Sequence, residues 1–393
     1  MRMLALYLLW TMAATAFTES SAAVRLGTIS AWERPQPGWL WVLDIFRGAR
    51  GVPGTPQILL VDPESGRIRA KLPTTGGAEM ALSSEGNRFY IATGSELSII
   101  DAAVGNVIAN LPLYSRWMDK IGLVHPTMAM SPDGRWIYIY KIYGNSPANA
   151  KYTVASFDTM SGTFLPSELE IECPVALFLP VSTGRSLPLI CAPMNEIRFL
   201  ELDQSGAPAT IARAYLPKGT VVNPEIVRTL PVGSSIWDLR TGAVAPDGRT
   251  IAAVMGDGKI LEVDRATRTI RRVIGQLSIK ERWVPERPAV YSRDGSRLYV
   301  AVGRLATRST GRGEEILVVD SKTGQQMATI ETSIPFVSLA ISKDGRYLYA
   351  PAFDDHNPPS FEGRIIVIDA LDFREIRTMQ DIGMWPAYIT VQP

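Results

Sequence analysis

Apolar runs of four to six residues, each stopped by an aspartate, recur along this chain. Seven copies stand out: ILLVD ending at Asp62, LSIID at Asp101, VASFD at Asp158, RFLELD at Asp203, ILEVD at Asp264, ILVVD at Asp320 and IIVID at Asp369. A short apolar run bounded by turn residues reads as a buried strand, and the aspartate that stops it can bond the backbone of the turn that follows. Asp62 and Asp369 lie 307 residues apart, six intervals of about 51, which is the period of four-stranded propeller blades.

A second pattern interleaves with the first. Between successive aspartates come a strand, a polar Asp-Gly or Glu-Gly turn and another strand. The clear copies are SSEGNRFYIA (83–92), SPDGRWIYIY (131–140), APDGRTIAAV (245–254), SRDGSRLYVAV (292–302) and SKDGRYLYAPA (342–352). Glycine supplies the positive φ of a tight hairpin turn and the aspartate side chain bonds the turn backbone. None of the copies has the further oxygen ligands that a calcium loop requires, so they read as structure. The two patterns together predict an all-β fold, a seven-bladed β-propeller of four-stranded antiparallel blades.

The ends of the chain predict how such a ring closes. After Asp369 comes one more strand, FREIRTM, and then PAYITVQP (386–393), which looks like the opening strand of a blade with no blade after it. The missing strands stand at the other end: WLWVLDIF (39–46), QILLVD (57–62) and GRIRAKL (66–72). One blade is therefore expected from both ends, pairing edges that would otherwise invite aggregation.

Composition narrows the class. The 393 residues are 46% hydrophobic, with no low-complexity tract and no linker between repeats, so residues 24–393 read as one domain. Forty basic residues against 39 acidic give a net charge of +1, which points to neither nucleic acid nor an anionic membrane surface. The basic stretches 270–282 and 303–313 read as loops or solvated strand faces. Residues 1–23 combine Arg2, an apolar stretch of 14 residues (4–17) and small residues at 20–23. That reads as a secretory signal peptide, too short to span a bilayer and expected to be removed after Ala22 or Ala23, with an uncleaved anchor as the alternative.

Export gives the two cysteines a meaning. Cys173 and Cys191 bracket a strand, a turn and a strand, and in an oxidising compartment they are expected to form a disulfide worth on the order of 3 kcal/mol. A metal pair would have only His125 and His356 beside it. The chain has no Cys-x-x-Cys-His, Gly-x-Ser-x-Gly or His-Glu-x-x-His motif, no phosphate loop and no dinucleotide fingerprint. Two histidines leave little material for zinc chemistry or a histidine triad. His125, in GLVHPTMAM, precedes a strand that can line the central channel, but reads first as a structural or solvent-exposed histidine. His356, in AFDDHNPPSFEG, shares a polar loop with Asp354 and Asp355, suited to a partner or ligand contact. No catalytic residue and no metal site is expected in this chain.

From residue 282 to residue 391 the sequence resembles the heavy subunit of bacterial quinoprotein amine dehydrogenases, the methylamine and aromatic amine dehydrogenases. The likeness is carried by RPAVYSRDGSRLYVAVG, the loop RLATRSTGRGEE, the run ILVVDSKTGQQMATIETSIPFVSLAISKDGRYLYAPA and the closing IGMWPAYITV with its Gly-x-x-Pro turn. SFDTMSGTFLPSELEIECP extends it into the middle of the chain, and Cys173 and Cys191 fall where that family has its intrachain disulfide. The rest of the mature chain is similar more loosely.

The resemblance implies a periplasmic, seven-bladed propeller of the YVTN-like type, assembled as two large and two small chains. The tryptophan tryptophylquinone cofactor and the catalytic aspartate would belong to the small, cysteine-rich subunit. That enzyme takes a primary amine as a Schiff base and passes two electrons to a copper protein such as amicyanin or azurin. This chain, with two cysteines, would bind no cofactor itself. Its expected part is to dock the small subunit and wall the substrate channel, where an aromatic from the N-terminal loop meets substrate. Phe46, in LDIFRGARGVPGTPQ (43–57) beside Arg47 and Arg50, is the residue the resemblance assigns to that role. Read on its own, a phenylalanine that ends a strand caps a blade core. Two other classes stand beside this one: an exported propeller that binds a protein or surface ligand without catalysis, and a channel-metal enzyme such as a lactonase. The latter needs convergent carboxylates with an Asn or His at the channel mouth, which the sequence does not place.

Overall fold

The computed structural model describes residues 32–45, 48–49, 52–74, 79–93, 96–113, 127–143, 151–173, 176–179, 181, 184–191, 196–203, 208–215, 239–278, 282–284, 289–304, 313–354 and 362–393. Residues 1–23, read from the sequence as a signal peptide, and the residues Phe46, Arg47, Arg50, His125, Asp355 and His356 lie outside these. Among the described residues every regular element is a strand, and no helix is long and apolar enough to cross a membrane.

These strands form four-stranded antiparallel meanders. Blade one combines both ends of the chain, in the order Pro386–Val391, Leu40–Asp44, Gln57–Asp62, Arg67–Pro73. Its inner strand is the C-terminal one, with Leu40 opposite Val391 and Leu43 opposite Tyr388. Blades two to five then follow in chain order, opening with Glu79–Leu82, Met128–Met130, Ala176–Phe178 and Leu239–Val244. Apart from a two-stranded hairpin of Gly48–Ala49 and Val52–Pro53, the remaining strands run as one sheet that divides, at the single bridge between Phe336 and Ala352, into blade six, opening with Val290–Tyr291, and blade seven, opening with Ala340–Ile341. The described residues therefore hold seven such meanders, and each third strand ends at or next to one of the seven repeated aspartates.

The third strands are continuous apolar runs because both of their faces are buried. Alternate residues point into different neighbours. In blade six Ile316 and Val318 pack towards Ile366 and Ile368 of blade seven, whereas Leu317 and Val319 pack with Val254 and Ile260 of blade five. The other interfaces repeat the arrangement: Trp41 and Leu60 meet Phe89, Tyr90 and Leu97 meet Phe157, Tyr138 and Val154 meet Leu189, and Phe199 meets Ile251. The last interface returns to the start, with Ile365 and Val367 of blade seven against Leu59 and Val61 of blade one. Each such fully buried side chain contributes about 1.5–3 kcal/mol, so the interfaces between sheets hold the fold.

Apart from the Phe336–Ala352 bridge, the outer strands form the edges of the described sheets, and they share a device. In six blades the pairing of third and fourth strands slips near its turn, between Leu60 and Val61, Ile99 and Ile100, Glu201 and Leu202, Glu262 and Val263, Val318 and Val319, and Val367 and Ile368. A bulge twists an edge strand and spoils it as a template for a second chain.

Cys173 and Cys191 form the expected disulfide, with Cα atoms 5.7 Å apart. Both are fully buried, and Cys191 pairs with Ala176 in the inner hairpin of blade four. The Tyr140 hydroxyl of blade three donates to the Cys173 carbonyl at 2.7 Å, which ties the stapled hairpin to its neighbour.

Candidate functional face

A four-stranded meander puts two kinds of connection at opposite ends. At one end lie the turns from first to second and from third to fourth strand. At the other lie the links from second to third strand and onward to the next blade.

The first end is built from short turns. The carboxylates of Asp62, Asp101, Asp158, Asp264, Asp320 and Asp369 accept N–H bonds from their own turns, for example Glu64 N to Asp62 Oδ1 at 2.9 Å and Thr323 N to Asp320 Oδ1 at 2.7 Å. The Asp-Gly turns are similar: Ser292 Oγ donates to Asp294 Oδ1 at 2.5 Å and Ser296 N donates to the same oxygen at 3.1 Å. Burial pushes the Asp62 carboxyl up, but Arg69, Ser65 and the turn N–H groups outweigh it and leave a pKa of about 2. The Ser292 hydroxyl, with Ser296, brings Asp294 to about 2 as well. Asp264, Asp320 and Asp344 are also lowered by bonds from their turns. A carboxylate whose folded pKa lies below its ordinary 3.8 stabilises the fold above that value and loses the contribution as pH falls through the folded pKa. The urea midpoint should therefore hold flat from pH 7 to 5 and fall between about pH 4 and 2; a midpoint that declines already between 7 and 5 would rule these turns out as its source.

Guanidinium groups at this end grip main-chain carbonyls of the neighbouring blade. Arg88 Nη1 donates to Thr159 O at 3.3 Å, Arg265 Nε to Ser186 O at 3.0 Å, Arg272 Nη1 to Lys322 O at 2.9 Å and Arg297 Nη1 to Ala370 O at 3.0 Å. Arg377 reaches from blade seven to Glu64 O of blade one at 2.7 Å and also to Pro63 O. Gln392 completes the join: its Oε1 accepts Trp41 Nε1 at 2.8 Å and its Nε2 donates to Gly86 O of blade two at 3.1 Å. A Cβ at Gly86 would collide with that amide, so the turn requires glycine there.

The opposite end carries the long links. Those between Asp44 and Gln57, Pro112 and Met128, Tyr215 and Leu239, Arg304 and Gly313, and Asp354 and Glu362 all start and finish here. Phe46, His125 and His356 belong to three of these links and lie outside the described residues. What is described around them is a set of fixed anchors. Asp44, 1% exposed, accepts Trp385 N at 2.8 Å, Met384 N at 3.0 Å and Gln57 Nε2 at 3.1 Å. Ile45 N donates to Trp385 O at 3.0 Å. Trp385 is 36% exposed and its ring leans on buried Phe353 of blade seven, centroids 4.6 Å apart. Gly383 crosses so close to the Asp44 carboxylate that no Cβ fits. Two bonds tie inner strands here: Met128 N donates to Glu79 Oε2 at 2.6 Å, and Ser338 Oγ to Ala387 O at 3.1 Å. Between blades three and four, near the disulfide, Arg198 is 1% exposed and its Nε donates to Glu196 Oε2 at 3.1 Å, while its Nη1 has no hydrogen-bond partner.

This end offers an exposed, rigidly held indole and buried polar anchors. Among the described residues no three His, Cys, Asp or Glu side chains group as metal ligands. The structure joins Cys173 with Cys191, as expected from the sequence. Asp44, the Glu196–Arg198 pair and the bridging arginines were not foreseen. Asp44 had a signal, since LWVLD is an eighth apolar run stopped by aspartate, but it ends a second strand rather than a third.

No protein-family model matches the chain, and no curated protein is similar to it in sequence. Solved structures do share the fold. A functionally unknown protein from Desulfotomaculum acetoxidans superposes with a TM-score of 0.62 at 12% identity, over 90% of this chain and 98% of that one. A protein described as a putative 6-phosphogluconolactonase from Bacteroides uniformis gives 0.59 at 13% identity, over 90% and 99%. Dihydro-heme d1 dehydrogenase NirN gives 0.54 at 14% identity, over 92% of this chain and 76% of that one. At such identities the likeness is one of fold alone, and the chain is a β-propeller.

Proposed function

We propose that this chain is the large subunit of a periplasmic amine dehydrogenase, docking a small, cysteine-rich subunit that carries tryptophan tryptophylquinone for the oxidative deamination of primary amines. The observation that supports this reading is a meeting of two segments. The closing Gly383–Pro386 turn, which carries the resemblance, and the start of the 43–57 segment, which the resemblance places at the substrate channel, are bonded to each other through Asp44, Ile45 and Trp385. They lie at the end of the blades that carries the long links, 341 residues apart in sequence between Asp44 and Trp385. In this reading the chain supplies no catalytic residue. Phe46 and Trp385 would present aromatic surface at the mouth, rigid anchors being the residues that dominate protein interfaces. The quinone, when bound in the partner, would supply the amine oxidation and pass the electrons to a copper protein.

The alternative is an exported propeller that binds a protein or surface ligand on its own. It is favoured by the Asp-Gly turns, whose carboxylates are taken up by their own hairpins. Purifying the tagged chain from its native periplasm separates the two readings. A copurifying small cysteine-rich chain, a visible quinone absorption and amine-dependent dye reduction are the expected result. A solitary, colourless and inactive propeller would overturn the dehydrogenase reading and leave the binding module.

A further inference from the structure

We propose that Met160 is a modification site: a peroxide converts its thioether to the sulfoxide before it reaches any other described methionine, and the ring tolerates the change. The inference goes beyond the dehydrogenase reading and does not depend on it. Oxidation of a thioether requires access to the sulfur, and the fold ranks its methionines steeply. Met160 is 81% exposed, the most open large apolar side chain among the described residues, and Met327 follows at 47%. Met80, Met130 and Met384 are half-buried. Met128, Met255 and Met379 are at most 5% exposed and fill the seams of blade two with three, four with five and seven with one.

The site is a turn whose shape owes nothing to the methionine side chain. Met160 is the second residue after Asp158, at the end of the blades opposite the long links. Its N–H donates to Asp158 Oδ1 at 2.9 Å, and Gly162 N donates to Asp158 O at 2.9 Å. Thr159 N donates to Arg135 O at 2.8 Å, Thr159 Oγ1 donates to Gly134 O at 3.0 Å, and Thr159 O accepts Arg88 of blade two. The Met160 side chain belongs to neither of the buried clusters that blade three shares with its neighbours. In the reaction a sulfur lone pair attacks one oxygen of hydrogen peroxide. The S–O bond forms as the O–O bond breaks, the departing oxygen leaves as water, and the two electrons lost by sulfur reduce the peroxide. The sulfoxide is polar, and at Met160 it meets water. The same change at Met255 or Met379 would bury a polar S=O in an apolar seam without a partner, which is costly.

Limited treatment of the folded full chain with hydrogen peroxide, read by peptide mass spectrometry and urea denaturation, tests the proposal. The peptide holding Met160 should gain oxygen ahead of that holding Met327, and roughly tenfold faster than those holding Met255 and Met379. At full conversion of Met160 the urea midpoint should be unchanged. Met160→Leu should abolish the first-formed product and leave Met327 as the fastest of the described sites. Sulfoxide at Met128, Met255 or Met379 as early as at Met160 would overturn the ranking. A urea midpoint that falls in step with conversion of Met160 would overturn the tolerance.

Discussion

Removal of the last eight residues, Pro386 to Pro393, is expected to abolish the soluble folded protein rather than shorten it. Leu40, Trp41, Val42 and Leu43, all fully buried, would lose the strand that covers their edge, and Trp41 would lose its partner Gln392. Tyr388, Ile389 and Val391 leave the cores between blades seven, one and two at the same time. A fully buried side chain returned to water costs about 1.5–3 kcal/mol, and with these three half-buried the loss is still a large share of the roughly 5–15 kcal/mol that holds an ordinary domain together. The bared edge of Leu40–Asp44 is moreover an apolar template for a second chain. Size-exclusion chromatography and near-ultraviolet circular dichroism would show aggregate or unfolded chain. A truncated protein that elutes as a monomer with an unchanged near-ultraviolet spectrum would show that blade one stands without its inner strand.

The second large effect is expected at Glu196. Its carboxylate is the charge partner of Arg198, which is buried between blades three and four with its Nη1 already unpaired. Replacing Glu196 by alanine strands a guanidinium in an apolar interface, and breaking a buried pair in this way costs about 3–5 kcal/mol. Replacing both residues together, Glu196→Leu with Arg198→Met, should be close to neutral or mildly stabilising, since neither charge then needs to leave water. Urea denaturation of the single and double variants checks the pair. A single variant within about 1 kcal/mol of the parent would place Arg198 among the weakly coupled surface charges.

The four-stranded sheets were legible in the sequence because their determinants are local. Six of the seven aspartates that stop an apolar run cap the turn two or three residues ahead, and the Asp-Gly pairs shape their own hairpins, so a period of about 51 residues could be read by eye. The pairing of the two ends followed from one strand lacking a blade, and the Cys173–Cys191 bond from two cysteines bracketing a hairpin. What stayed hidden was contact at long range. Arg88, Arg297 and Arg377 stand in the repeats as ordinary polar residues, and their acceptors are 71, 73 and 313 residues away. Glu196 and Arg198 alternate with apolar neighbours like the solvated face of a strand, although a second sheet covers them. Asp44 resembles the other seven aspartates and does a different task, because its partners come from the far end of the chain. The mouth is the least legible part, since the long links have no period and no mechanism-bearing motif to read.

The arginines that bridge the blades bear on how far such a ring can change. A guanidinium that grips a main-chain oxygen makes no demand on the side chain its partner carries, because every residue offers the same carbonyl. Thr159, Ser186, Lys322 and Ala370 serve equally as acceptors although they share no chemistry. The residue that offers the oxygen can therefore change without breaking the tie, so these contacts do not depend on agreement between the side chains of adjacent units. Such a scaffold keeps its shape at the low identities that separate this chain from the other propellers, and leaves the links at the mouth free to be rewritten for a different task.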